Sequence, residues 1–289
     1  MDLCDFNQIQ ALLNRHGFHF SKSLGQNFLI ESWVPRDIAA ASGAGPGNGV
    51  LEIGPGIGPL TVELSKRAGK VAAVELDKAL LPILAETLAD CPNVTVIPGD
   101  VMKLDLAALV REQFPDLTPM VCANLPYNIT TPVLTILLES GLFSAVTVMI
   151  QKEVAQRICA APGSKDYGAF SILCQYYAKC ELLFEVPKEC FLPAPKVTSA
   201  VVRLTPQAAP SCVHDKGLFF RVVRGAFSLR RKTLLNALAN SFPLCKDSLA
   251  QCISAAGLPP DIRGERLSIP QFAALADHIQ AALAQGGQV

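Results

Sequence analysis

The stretch "LEIGPGIGPLT", Leu51–Thr61, sets Gly54, Gly56 and Gly58 between an apolar run and a helical pattern. Glycines at a strand end permit tight backbone turns and the close approach of a ligand to the chain. The spacing is G-x-G-x-G, which differs from the G-x-G-x-x-G of the dinucleotide fingerprint. Around this loop, short aliphatic runs alternate with segments of 3.6 period. Strands are expected at 49–53, 71–75, 94–98, 120–124, 145–150, 180–186 and 199–204. Helical patterns lie near 59–68, 78–89, 105–113, 131–140, 152–159 and 168–177. The early strands are apolar on both faces, as in a parallel sheet covered by helices on each side. The expected fold is therefore α/β, with a Rossmann-like doubly wound sheet.

After Leu204 the texture changes. "TPQAAPS" reads as a linker, and helical periods follow near 215–227, 231–241, 246–256 and 269–284 with no strand between them. A domain over 1–206 and a small all-helical domain over 207–289 are expected. Net charge is zero, but residues 1–204 carry 16 Lys+Arg against 20 Asp+Glu, and residues 205–289 carry 9 against 5. A basic end joined to a mildly acidic body suits contact with a polyanion. The ten cysteines are dispersed, with no C-x-x-C, and the chain has only four histidines. That spacing argues against a metal site and for reduced thiols, hence for a cytoplasmic protein. No apolar run approaches the ~18 residues of a membrane helix, and the acidic, amphipathic start does not resemble a signal or transit peptide.

The chemistry suggested by the first half is that of a nucleoside. Glu75 ends the second strand, 21 residues after Gly54, where a carboxylate can accept both ribose hydroxyls. Asp100, after the third strand, could accept from an adenine amino group. A pyrophosphate would be poorly served by these acids, whereas an adenosine bearing a positive charge would be well served. S-adenosylmethionine is such a ligand.

The fourth strand ends in "NLPYN", Asn124–Asn128. An exocyclic amine such as adenine N6 is a poor nucleophile because its lone pair is delocalised. Acceptors on its two protons and good orientation pull it toward tetrahedral geometry. The Asn124 side-chain oxygen and the Leu125 carbonyl can be those acceptors, Pro126 fixes the turn, and Tyr127 offers a stacking face worth ~1–3 kcal/mol per base. Asn-Leu-Pro-Tyr also matches the [Asn/Asp/Ser]-x-Pro-[Tyr/Phe] motif of amino-group methyltransferases acting on nucleic-acid bases.

The segments "SLGQNFL", "LEIGPGIGPLT", "VAAVELD", "GDVMKLD", "ANLPYNITTPVL", "FLPAPKVTSAVVRL" and "AFSLRRKTLLNAL" appear in order. Together, over about residues 20–280, they resemble the ribosomal RNA adenine N6,N6-dimethyltransferase family, in its small-subunit branch. The resemblance implies S-adenosylmethionine held by Asn27, Leu29, Gly54, Glu75, Asp100 and Asn124, with residues 1–30 closing over it. It implies two methyl groups on each of two adjacent adenosines in a hairpin near the 3′ end of small-subunit rRNA. It further implies Phe191 as the ring that sandwiches the target base against Tyr127, since reaching N6 inside a helix requires extruding the base. Phe191 can equally be a core residue at a strand end. The family's usual Asp in "PKVDSAVV" is Thr198 here, and no role is given to it.

Arg221 and Arg224, one helical turn apart, and Arg230, Arg231 and Lys232, read as the start of the next helix, are the candidate RNA contacts. Arg263 and Arg266 are weaker candidates, either of which could pair with Glu265. The expected partner is small-subunit rRNA in a precursor (pre-30S) particle, met by a monomer without metal or membrane. Two alternatives stand beside this reading: a large-subunit rRNA methylase of the antibiotic-resistance type, and an assembly factor whose main role is docking.

Overall fold

The computed structural model describes residues 1–21 and 25–286. Ser23 and Leu24 of "SLGQNFL" fall outside them. The chain divides into two compact units, Met1–Ala155 with Ala178–Pro206, and Gln156–Tyr177 with the chain from Gln207 on.

The first unit opens with α1 (Phe6–Arg15), capped by Asp5 on the Gln8 N–H and burying Ile9, Leu12 and Leu13 on one stripe. Then come β1 (Phe28–Leu29), α2 (Trp33–Ala41), β2 (Asn48–Ile53), α3 (Pro59–Ser65), β3 (Lys70–Glu75), α4 (Leu81–Thr87), β4 (Val94–Pro98), α5 (Leu106–Gln113), β5 (Thr118–Asn124), α6 (Thr130–Ser140) and β6 (Val146–Gln151). Next along the chain are α7 (Lys152–Ile158) and α8 (Ala169–Tyr177), followed by β7 (Ala178–Val186), β8 (Phe191–Leu192) and β9 (Ser199–Pro206), which return to the first unit. The seven-stranded sheet has the order β4-β3-β2-β5-β6-β9-β7. Its first five strands are parallel, and β9 runs antiparallel to both β6 and β7.

The chain leaves β2 toward β3 and β4 on one side and returns to β5 and β6 on the other. That reversal opens a crevice at the carboxyl ends of the strands, where ligands bind in open α/β sheets. Register brings Ile53 beside Val74 and Glu75 beside Pro98, and Asn124 beside Met149. The ends of β2, β3, β4 and β5 therefore reach one edge. A second, two-stranded ribbon pairs Phe28 with Leu192 and Leu29 with Phe191.

In the second unit, α9 (Lys216–Ser228), α10 (Leu234–Leu238), α11 (Lys246–Ala255) and α12 (Ile269–Gly286) share one core. That core also holds Tyr167, Ile172 and Tyr176, packed with Phe219, Phe220, Leu267 and Phe272. The expected boundary at residue 206 is thus only one of the crossings. The division also falls inside α7 at Ala155 and again at Tyr177, because α8 spends its apolar face on the second core. Arg230, Arg231 and Lys232 do not start a helix. They lie in the turn before α10, whose N-cap, Thr233, is extended (φ −62°, ψ 157°).

Candidate active site

The crevice of the first unit is lined by Gly25–Leu29, by the glycine loop, by the ends of β3, β4 and β5, and by Phe191. Its empty space, open mouth included, is about 1100 Å³, ample for a ligand of nucleoside size. Three carboxylates line it, from Glu52, Glu75 and Asp100, and among the described residues no Lys, Arg or His does.

Gly54, Gly56 and Gly58 all take positive φ, at 68°, 62° and 97°. A Cβ on Gly58 would stand 3.1 Å from Leu88 Cδ2, and one on Gly56 would stand 3.3 Å from the Phe28 ring. The loop must therefore be glycine both for its backbone and for its packing. Pro59 then occupies the first helical position of α3, where its missing N–H costs nothing.

Glu75 is only 6% exposed. Its Oε1 accepts from the Asp77 N–H at 2.7 Å. Burial pushes its carboxyl up, and N–H groups of Asp77, Gly56 and Leu76 oppose that shift. Asp100 Oδ1 accepts from the Met102 N–H at 3.0 Å, and its Oδ2 lies 3.6 Å from Lys103 Nζ. The N-terminal segment is anchored to the same edge. Gln26 Nε2 donates to Asp77 Oδ2 at 2.7 Å, and Asn27 Nδ2 donates to Gly25 O at 3.0 Å.

Asn124 closes β5. The Leu125 N–H donates to Met149 O at 3.1 Å, and its side chain is 1% exposed, so the backbone is held from both sides. Pro126 O accepts from the Ile129 N–H and from Thr130 Oγ1, at 3.2 and 3.1 Å, which makes the corner rigid. Half-buried Tyr127 shares a hydrogen bond of 2.7 Å between its hydroxyl and Ser199 Oγ.

A family model, Ribosomal RNA adenine dimethylase, matches residues 17–280. The chain belongs to this family. Among curated members it is 46% identical to "Ribosomal RNA small subunit methyltransferase A" of Geobacillus thermodenitrificans over 96% of both chains. It is 47% identical to the protein of the same name from Bacillus licheniformis over 95% of this chain and 96% of that one. Of solved structures, a dimethyladenosine transferase from Plasmodium falciparum matches with a TM-score of 0.72 and 25% identity, over 89% of this chain and 98% of that one. The 23S rRNA methyltransferase ErmE matches with a TM-score of 0.65 and 25% identity, over 88% and 99%.

All but one of the cofactor and base candidates line this one crevice: Asn27, Leu29, Gly54, Gly56, Glu75, Asp100, Asn124, Leu125, Pro126, Tyr127 and Phe191. Gly58 stands behind them as the N-cap of α3. Phe191 is 3% exposed and packs with Leu29, Val34 and Ile38. It is thus a core residue that also faces the crevice. Among the basic candidates in the second unit, Arg221 is committed internally. Its guanidinium donates to Ser241 O at 3.0 Å and lies 4.5 Å from the Phe242 ring centroid. Arg263 pairs with Glu265 at 4.0 Å. Among the described residues no group of side chains could hold a metal, and none of the ten cysteines is in a disulfide.

The sequence reading missed Glu52. An acid in the middle of the apolar run "VLEI" was the available signal. Glu52 Oε2 and Thr61 Oγ1 are buried without a hydrogen bond of acceptable geometry. Burial pushes the Glu52 carboxyl up to about 8 from 4.5; Thr61 opposes the shift and Glu75 adds to it. A raised folded-state value means that the fold holds a proton the unfolded chain releases. The contribution of Glu52 to the stability of the ligand-free protein therefore falls as pH rises from about 4.5 to about 8. Glu52→Gln should flatten that decline in melting curves recorded from about pH 5 to about pH 9. An unchanged decline would acquit Glu52.

Proposed function

We propose that the protein transfers methyl groups from S-adenosylmethionine to N6 of two adjacent adenosines near the 3′ end of small-subunit rRNA, two groups to each. The observation that carries this reading is a crevice lined, among the described residues, by acids and no cation, with the Asn124–Tyr127 corner at its edge. The residues present fit the cofactor. Its adenosine needs acceptors and a close backbone, and its sulfonium needs freedom from neighbouring cations. The cofactor supplies an electrophilic methyl group on positively charged sulfur.

The chain does the rest by positioning. Glu75 takes the ribose hydroxyls and Asp100 the adenine amino group, while Asn27 and Leu29 close the crevice from the N-terminal side. The extruded adenine stacks on Tyr127, with Phe191 as the opposing ring. Asn124 Oδ1 and the Leu125 carbonyl accept its two amino protons and turn the lone pair toward the methyl group. Among the described residues no basic side chain lines the crevice, in keeping with an amine that is oriented first and sheds its proton only once alkylated. The second methyl group requires the corner to accept the monomethylated amine through one remaining N–H. Arg224, Arg231 and Lys232 supply phosphate contacts to a monomer working on a precursor small subunit in the cytoplasm.

The relatives that are 46–47% identical are named for the small subunit, which favours it over the large-subunit alternative. Labelled S-adenosylmethionine offered to purified, undermethylated small subunits should mark two adjacent adenosines in the 3′-terminal hairpin. Label appearing in large subunits instead would overturn the assignment. Tyr127→Ala should slow methylation about 10- to 100-fold, the loss of one stacking face. Tyr127→Phe should keep most of the rate, because the ring stays and only the bond to Ser199 goes. Equal losses in the two variants would refute stacking.

A further inference from the structure

Three separated segments of the second unit are fastened to one another. The Arg230 guanidinium donates to Lys165 O. The Gly163 N–H donates to Glu265 O at 2.7 Å, and the hydroxyl of fully buried Tyr167 donates to Leu267 O at 3.0 Å. The Leu234 N–H donates to Ile262 O at 2.7 Å. These bonds hold the loop before Tyr167 against the turn before α10 and against the 3-10 turn Gly264–Arg266. Gly163 itself has φ +86°, and a Cβ there would stand 3.2 Å from an Arg266 guanidinium nitrogen.

The sequence reading gave the 160s loop no role. The fastening sets the exposed Lys165 against the segment that carries Arg231 and Lys232, also exposed. None of these three has an ion-pair partner among the described residues, although Asp166, Asp261 and Glu265 belong to the same three segments. With residues 156–177 included, the second unit carries 11 Lys+Arg against 6 Asp+Glu. Unpaired cations brought together from different segments suit a phosphate backbone, which is bound by charge and shape. Arg230 differs from its neighbours, because its guanidinium is already engaged by a main-chain carbonyl.

We infer that Lys165 belongs to the surface that grips the RNA backbone, and that Arg230 is a positioning residue that holds Lys165 there beside Arg231 and Lys232. The inference rests on the RNA substrate proposed above. Its test uses the full chain and a small-subunit rRNA transcript, with affinity measured against salt concentration. Lys165→Ala should lower the slope of log affinity against log salt by about one. Arg230→Ala should do the same, and should speed tryptic cleavage after Lys165. The double variant should lose no more than either single one, since both remove the same contact.

A wild-type slope for Lys165→Ala would overturn the inference. Full additivity in the double variant would overturn it too, by giving Arg230 a phosphate of its own. Weaker binding of Lys165→Ala to assembled subunits, with naked rRNA unaffected, would overturn it in favour of a protein partner. If the unaltered protein bound rRNA without any dependence on salt, the RNA reading beneath the inference would fail first.

Discussion

Asn124→Ala should cut methyl transfer about 10²–10³-fold, the usual cost of removing one preorganised polar partner from a reacting group. The variant should still bind S-adenosylmethionine within about tenfold of the unaltered protein, because one amide gives up one neutral hydrogen bond of ~1 kcal/mol. The two readouts separate because the corner does not depend on the Asn124 side chain. Leu125 is fixed by the Met149 carbonyl and by its own burial, and Pro126 O is held by Ile129 and Thr130. Truncating the amide leaves the Leu125 carbonyl in place and removes one of the two proposed acceptors. Single-turnover transfer to undermethylated small subunits, together with calorimetric titration of the cofactor, measures both. Lost cofactor binding with unchanged turnover would reverse the assignment.

Glu75→Ala should weaken the cofactor about 10²-fold or more. Hydrogen bonds to a charged acceptor contribute ~1.5–3 kcal/mol each, and the proposed geometry has two of them. The substitution also releases the N–H groups that now point at the carboxylate, notably that of Asp77 at 2.7 Å. Glu75→Gln should fare little better, since its amide turns a donor toward those donors. Burial raises the Glu75 carboxyl, so the ionised form that the proposed ribose contact needs is lost on acidification earlier than for an ordinary glutamate. Affinity should therefore decline as pH falls from neutral, and the decline should vanish in the Gln variant. Calorimetry across that range decides the matter, with circular dichroism to verify that the variants fold.

Much of this architecture was legible from residues alone. Each of the seven expected strands is present within about two residues, because aliphatic runs bounded by glycine, proline and asparagine leave few alternatives. The edge of the candidate site was legible for the same reason. A strand's last residue is known once the strand is, and Glu75 and Asn124 are last residues.

What escaped depends on packing. α2 was not foreseen; Pro35 disguises it, yet falls within the first turn, where proline is tolerated. The pairs of β1 and β8 are too short to show periodicity. α8 follows β6 and precedes β7 as a crossover helix would, so pattern alone assigns it to the sheet. Only the partners of Tyr167 and Tyr176 reveal that it belongs to the helical core. The Arg-Arg-Lys triplet was misread as helical because helix formers surround it, and the extended Thr233 that starts α10 leaves no mark in composition. Glu52 was overlooked because a lone acid within an apolar run resembles noise until its burial is seen.

The small ribbon of β1 and β8 has a practical consequence. Phe28 and Leu29 follow Asn27 directly, and their backbone partners are Leu192 and Phe191. The stretch that would close over the cofactor and the stretch that would face the target base are thus two sides of one hydrogen-bonded clasp. Trimming the amino terminus past Leu29 would strip Phe191 of its neighbouring strand as well. Deletions from that end would therefore damage both halves of the reaction together, and point substitutions are the way to tell the halves apart.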